Sequence, residues 1–563
     1  MLQNTDITLN ESQAQADELE AEAEALRASI AQEEPGPQPE PHRPSTATRI
    51  ARAALLLTAG TILSRVVGVG RESSIAYLFG AGADVGAFTI ANNVVTIVYD
   101  LLLSGAVSAA LVPVFSEYAN NEKMRAEFGK VVSTVLTVAA LFLGGSVLLL
   151  EIFADPLVHV MGVGYSPETQ HLALTMTQIV LPAVLFMGLS GVVMAAHYSL
   201  NRFVFPAFTS VLFNTAIIFC AFSLTNLFGI KSLAIGLVVG AFAMLAFQLP
   251  GLRDVQLRPA LAVGHPAVRK IMKLYAPVGL SVIVSSIALV IDRSLASQVG
   301  DAAIASMRYA TTLVQFGLGI VAAAISLASL PTLSQHFTNH NTEGFRRTLS
   351  SGLRLVTVLV LPAAAALMAL AVPLVALLFR NGAFTASDQD LTVLALRIYV
   401  LGLPFSAIDQ VLLFAFYARK NTFIPAMIGI AQFGVYLAIA FGTYQVWGMA
   451  GLVLANSAQL AFHAIVTALF LLRAMRADGG LRGYGIGSTA LKALGASIAL
   501  AIVSFASWWA MSQVIKSESI INKAILLAVP ALLGGSLYLG LVWMMRLPEV
   551  ELILDKVRAR LRR

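Results

Sequence analysis

LVPVFSEY (Leu111–Tyr118) returns later in the chain as SLPTLSQH (Ser329–His336), and this duplication decides the architecture. Ser108, Ala110, Pro113 and Ser116 stand 218 residues before Ser326, Ala328, Pro331 and Ser334. Pro156-Leu157-Val158 returns as Pro373-Leu374-Val375, and Tyr198 with Pro206-Ala207 returns as Tyr417 with Pro425-Ala426, at offsets of 217 and 219. Three landmarks at nearly one offset mark an internal repeat. In a membrane-embedded chain such a repeat points to two lobes that move a cargo between them.

The composition places the repeat in a bilayer. Of 563 residues, 57% are hydrophobic and 12% charged, with a mean hydropathy of +0.79, which lies far outside the soluble range. A hydrocarbon layer about 30 Å thick needs roughly 20 apolar residues per helix, and the apolar runs between residues 50 and 546 divide into about fourteen spans. Helix is the state expected of them, because a lipid-exposed backbone must satisfy its own hydrogen bonds. The predicted fold is therefore an all-α integral membrane protein with two six-helix lobes related by a parallel repeat, followed by a two-helix hairpin. Its expected parts are an acidic, Pro-rich tail (1–48), an N-lobe (49–250, spans 1–6), a C-lobe (251–475, spans 7–12), the hairpin (476–546, spans 13 and 14) and a basic end (547–563).

Charge sets the orientation. Even-numbered connections carry most of the Lys and Arg, among them Lys123, Arg202, Arg253, Lys270, Arg346, Arg419 and Arg473, whereas odd ones hold only Lys231, Arg380, Lys516 and Lys523. By the positive-inside rule both termini are cytoplasmic. Residues 1–47 hold ten acidic and two basic groups, so this tail is −8 and the remainder +14 within a net charge of +6. That positive remainder fits cytoplasmic loops against anionic headgroups better than nucleic-acid binding. The tail reads as disordered, with a docking helix through Leu19, Leu26 and Ile30 as the alternative. Cys220, the single cysteine, excludes an intramolecular disulfide.

Enzyme signatures are absent: the chain has no Walker loop, no His-Glu-x-x-His and no Cys-x-x-Cys, and its histidines lack ligand spacing. Gly68 and Gly70 in span 1 read as a close helix contact. No cofactor or metal is expected, and the driving force is expected to be a coupling cation, the membrane potential or the cargo's own metabolism.

The functional signal is intramembrane charge, which costs at least about 2.5 kcal/mol per group at depth and therefore faces a cavity or a partner. Helical periodicity puts Arg65, Gly68 and Glu72 on one face of span 1, with Arg71 about a third of a turn away. Span 2 carries Asn93, Thr96, Asp100 and Ser104 on one face. Span 7 carries Ser281, Ser285 and Asp292, with Ser286, Arg293 and Ser297 on the adjacent stripe, and span 8 carries Arg308, Thr312, Gln315 and Ser326. These spans, the first two of each repeat, should line a hydrated cavity. The expected substrate-contact set is Arg65, Arg71, Glu72, Asn93, Asp100, Asp292, Arg293, Arg308 and Thr312. Guanidinium groups stay charged at depth and grip phosphate in a fork, while the carboxylates balance them or couple a cation. The structural alternative is that these ions pair with one another, beginning with Arg65 and Glu72. Arg397 and Asp409 fall on different faces of span 10 and suit ties between helices.

Span 1 reads Ser64-Arg65-Val66-Val67-Gly68-Val69-Gly70-Arg71-Glu72, followed by Phe79-Gly80-Ala81-Gly82. This resembles the opening motif and first turn of the MurJ/MviN lipid II flippase family. Ser104-Gly105-Ala106, Leu111-Val112-Pro113, Leu330-Pro331-Thr332-Leu333-Ser334, Leu378–Thr385 with Asp388, and Phe416-Tyr417-Ala418-Arg419 with Thr422 and Pro425 follow in family order across residues 50–475. The resemblance implies the multidrug/oligosaccharidyl-lipid/polysaccharide exporter fold and a multi-pass protein of the bacterial inner membrane. It also implies outward movement of an undecaprenyl-diphosphate-linked muropeptide by alternating access, with Arg65 and Arg71 on the diphosphate and a lipid-tail groove at spans 13 and 14. Gly86, Asp100 and Thr311-Thr312 depart from the charged residues typical of the family at the corresponding places. Expected partners are the lipid-linked glycan, membrane lipids and, through the tail, envelope-synthesis proteins. The alternatives are export of another lipid-linked oligosaccharide, cation-coupled antiport of small molecules through Asp100, Asp292 or Asp409, and a non-transporting scaffold.

Overall fold

Bilayer-length apolar runs leave the backbone one economical solution, and a computed structural model shows it. Residues 46–100, 110–121, 124–262, 264–476, 479–516 and 519–547 are described, together with Ala21 and Glu24. They form α-helices and one short 3-10 helix, Leu249–Leu252, with no strand among the described residues. Side chains of residues 46–55, 120, 125, 126, 274–285 and 320–331 lie outside the description. So do the proposed tail helix, Ser104 and most of the basic end.

The first repeat comprises α1 (Thr46–Phe79), α2 (Ala83–Tyr99), α3 (Val112–Asn120), α4 (Arg125–Met161), α5 (Pro167–Val180), α6 (Pro182–Ser199), α7 (Val204–Phe228) and α8 (Lys231–Gln248). The second comprises α9 (Pro266–Gln298), α10 (Ala303–Thr338), α11 (Thr342–Ala369), α12 (Ala371–Leu378), α13 (Ala386–Ala418), α14 (Phe423–Trp447) and α15 (Met449–Ala474). The closing hairpin is α16 (Ile486–Val514) and α17 (Ile520–Met544). Ten described helical segments are long and apolar enough to cross a membrane. Each of the other four expected spans includes residues or side chains outside the description, and each is mainly helical over its described residues.

Backbone geometry repeats with the sequence. Asn201 and Lys420, 219 positions apart, both adopt φ of +57°, and Gly229 and Gly448, at the same spacing, adopt +56° and +54°. Ser166 and Thr385, again 219 apart, cap α5 and α13 by accepting from the backbone N–H groups of Thr169 and Asp388. Duplicated turns thus end and restart duplicated helices.

Helices pack mainly within their own repeat: α7 on α8, α2 on α5 and α6 on α8 in the first, and α10, α11 and α15 around α13, with α14 on α15, in the second. In lipid, apolar burial does not separate packed from unpacked helices, so close van der Waals fit carries this packing. Gly236 and Gly240, one turn apart on α8, show the device, since a Cβ at either would lie about 3 Å from the α7 backbone at Ile217 or Phe213. Gly60 does the same on α1, where a Cβ would meet the Ala207 carbonyl oxygen at 2.3 Å. Gly70, expected to make such a contact, has open space, and Gly68 approaches only the Asn214 amide at 3.8 Å. The hairpin rests on α11 and α12 through a small core of its own, with Val358, Ala496, Leu500 and Tyr538, and the Tyr538 hydroxyl donates to the Val358 carbonyl at 2.6 Å.

Fewer contacts join the repeats, and several cluster at two turns. The Ala383 N–H donates to the Tyr77 carbonyl at 2.8 Å, and the buried Tyr309 hydroxyl donates to the Gly80 carbonyl at 2.7 Å. Gly382, at φ +65°, lets its turn approach Tyr77 so closely that a Cβ would fall 2.2 Å from the Tyr77 oxygen. Nearby, the Gly164 N–H donates to Ser297 Oγ at 3.1 Å.

Candidate functional site

Glu72 is fully buried, and an isolated carboxylate there would cost several kcal/mol. Two guanidinium groups offset that cost. Arg71 on the same helix donates to Oε1 through Nε at 3.1 Å and Nη2 at 2.5 Å. Arg308, from α10 of the second repeat, donates through Nε to Oε2 at 2.9 Å and through Nη2 to Oε1 at 3.0 Å, a two-pronged grip across the lobes. The remaining donors are also placed: Arg71 Nη1 meets Asn214 Oδ1 at 2.9 Å, and Arg308 Nη1 meets Thr89 Oγ1 at 3.2 Å. The Arg308 guanidinium also lies over the Phe88 ring, 5.0 Å from its centroid. Four helices, α1, α2, α7 and α10, therefore converge on one carboxylate.

This cluster forms one wall of a cavity of about 570 Å³, also lined by Arg65, Asn92, Asn93, Arg293, Thr312 and Gln315. Among the described residues, Glu72 is the only acidic one lining it. Arg65 donates to the Gln315 carbonyl, and its guanidinium lies against Gly319, where a Cβ would fall 2.1 Å from Cζ. Asn93 is nearly buried, with its amide nitrogen unpaired among the described residues, and Thr312 donates to the Arg308 carbonyl at 3.0 Å. An anionic group with several oxygens has both the positive field and the N–H donors it needs here.

Of the nine residues expected from sequence, Arg65, Arg71, Glu72, Asn93, Arg293, Arg308 and Thr312 meet at this cavity. Asp292 lines an adjoining cavity of about 380 Å³, which shares Arg293, Thr311 and Gln315 with the first. There Asp292 Oδ1 accepts from the Tyr436 hydroxyl at 2.5 Å and Oδ2 lies 3.5 Å from Arg293 Nη1. Asp100 ends α2, half-buried, and does not line either cavity. The expected structural pair of Arg65 with Glu72 does not form. One face of an isolated helix put them together, but Glu72 turns to Arg71 and to Arg308. Asp409 does tie helices, meeting His463 of α15 at 2.9 Å. Asn214, Gly319, Tyr436, Asn456 and Gln459 escaped the sequence reading. A lone Asn in the apolar run of α7 was the one legible signal among them.

Comparison with known proteins agrees with this geometry. A family model described as lipid II flippase MurJ matches residues 75–528. The lipid II flippase MurJ of Burkholderia cenocepacia is 30% identical over 519 residues, covering 88% of this chain and 97% of its own. A probable lipid II flippase MurJ of Vibrio cholerae is 31% identical over 453 residues, covering 77% and 84%. Among solved structures, a lipid II flippase MurJ in an inward closed conformation superposes with a TM-score of 0.71 at 23% identity, covering 86% of this chain and 98% of its own. An inward-facing transporter of the multidrug-resistance MATE family gives 0.63 at 17% identity, covering 76% and 98%. These two likenesses speak to the fold.

Removing one partner of the cluster should be costly. Arg308→Ala strands the Glu72 carboxylate and is expected to destabilise by about 3–5 kcal/mol, whereas a paired Glu72→Leu, Arg308→Leu variant should recover most of that. Melting temperatures of the detergent-purified variants check this, and an unchanged value for Arg308→Ala would mean that the carboxylate is not held as described.

Proposed function

The chain belongs to the lipid II flippase MurJ family, and from that membership we propose that it carries lipid II from the inner to the outer leaflet by alternating access, with the arginine-lined cavity as the headgroup site. One observation carries the reading: Arg65, Arg71, Arg293 and Arg308, from three helices of both repeats, converge on a single polar cavity with one carboxylate among its lining residues. Diphosphate presents more oxygens than a carboxylate and can accept from several forks at once.

The Lys and Arg distribution supports cytoplasmic termini. With that orientation the turns at Gly80 and Gly382 lie on the outer side, and the bonds from Ala383 to Tyr77 and from Tyr309 to Gly80 close it. A lipid headgroup then enters from the cytoplasmic leaflet. Its diphosphate takes the place of Glu72 on Arg71 and Arg308, which weakens the tie between α1 and α10 and frees the outer turns to separate. Release outward leaves a cavity with more guanidinium than carboxylate groups. An inside-negative membrane potential acts on such a surplus at about 2.3 kcal/mol per charge per 100 mV and favours its return.

Replacing Arg65 or Arg71 with Ala should abolish rescue of a bacterium depleted of its lipid II flippase, with the variant still inserted at the normal level, and Arg65→Glu should be inert. Full rescue by all three would remove the proposed role. Orientation is read separately. In a Cys220→Ser background, Ser519→Cys should react with an impermeant thiol reagent in intact cells, and protection there until the membrane is permeabilised would reverse the topology.

A further inference from the structure

Arg293 is a guanidinium of the cavity that the described residues leave short of acceptors. Its Nε and Nη1 are buried without a hydrogen-bond partner among the described residues, although most of the side chain is out of contact with solvent. Its neighbour Asp292 does not resolve this, since the closest approach is 3.5 Å and Oδ1 is already held by the Tyr436 hydroxyl. Buried donors of a charged group cost more unpaired than a neutral pair would gain, so the position calls for an anionic acceptor from outside the protein.

The place of Arg293 identifies the acceptor. It stands where the two cavities adjoin, and the second extends away from Arg65, Arg71 and Arg308 into the C-lobe. Besides Arg293 and Asp292, whose Oδ1 is held by the Tyr436 hydroxyl, that second cavity offers uncharged polar groups, Ser406, Asn456 and Gln459 together with Tyr399, and among the described residues it adds no further Arg or Lys. Side-chain amides and hydroxyls both donate and accept, which suits peptide and sugar amides, and a single guanidinium suits one carboxylate. A second phosphate would meet a weaker field here than at the first cavity. The volume, about 380 Å³, falls in the range of small-molecule sites.

Resting on the flippase reading, we propose that this C-lobe cavity is a second recognition subsite, which takes a carboxylate of the cargo's peptide stem on Arg293 and its neighbouring amides on Asn456 and Gln459. The diphosphate is held in the first cavity and the stem in the second, so the protein reads two anionic points of one headgroup. Arg293 thereby distinguishes a stem-bearing cargo from a bare polyprenyl diphosphate.

Binding to the purified, full-length protein in nanodiscs tests this with three lipids: undecaprenyl diphosphate, lipid II, and lipid II whose stem carboxylates have been amidated. For the wild type, lipid II should bind at least about tenfold more tightly than its amidated form, the size of one charge-assisted hydrogen bond. Arg293→Gln should remove that preference, lowering lipid II affinity about tenfold more than undecaprenyl diphosphate affinity, and Gln459→Leu should act in the same sense with every charge retained. Equal losses for lipid II and undecaprenyl diphosphate in both variants, or a wild type indifferent to amidation, would overturn the subsite. A different result bears on the flippase reading itself: wild-type protein that binds undecaprenyl diphosphate no better than undecaprenol would remove the diphosphate site, and the subsite with it.

Discussion

A carboxylate with no access to water, placed between arginines from two halves of a duplicated chain, is the constraint around which the site is organised. Glu72 is held by both Arg71 and Arg308, Arg308 reaching each of its oxygens and Arg71 adding two donors to Oε1. Its demand fixes the rotation of α1, brings α10 against it, and directs Asn214 and Thr89 to the leftover donors. Other arginines at the cavity have less to hold them, and their charge is available to a ligand. A buried ion cluster of this kind contributes little net stability. What it supplies is a tie between the lobes, and under the proposed function the cargo's diphosphate competes for it.

The repeat itself is asymmetric where it matters. Span 1 has Arg71 followed by Glu72, and span 7, the first span of the second repeat, has Asp292 followed by Arg293. Reversing the order of acid and base changes which group is satisfied. In the first repeat the carboxylate is surrounded by donors, whereas in the second the carboxylate is held by Tyr436 and the guanidinium is left short of acceptors. Duplication supplied two similar frames, and the side chains set in them divide the work.

Much of the frame was legible beforehand, because bilayer-length hydrophobicity leaves only helix and because turn residues recur with the repeat. The positive-φ positions at Asn201 and Lys420 and at Gly229 and Gly448 follow the same spacing as Tyr198 and Tyr417. Seven of nine expected site residues share one cavity for a similar reason, since polar stripes on four helices can hide from lipid only by facing one another. What periodicity could not supply is which charge meets which. Arg65 and Glu72 share a helical face yet do not pair, and the partner that Glu72 finds is 236 residues away. Gly319 makes room for the Arg65 guanidinium, and nothing in the apolar run around it marks that duty. Asp100 met the stripe criterion but does not line the cavity, although its neighbour Tyr99 does.

Affinity for undecaprenyl diphosphate in a Glu72→Gln variant tests most directly whether an internal carboxylate occupies the groups meant for the cargo. With the competing charge removed and the side chain's shape retained, the account predicts tighter binding than in the wild type, measured on folded protein in nanodiscs. Weaker or unchanged binding would contradict it.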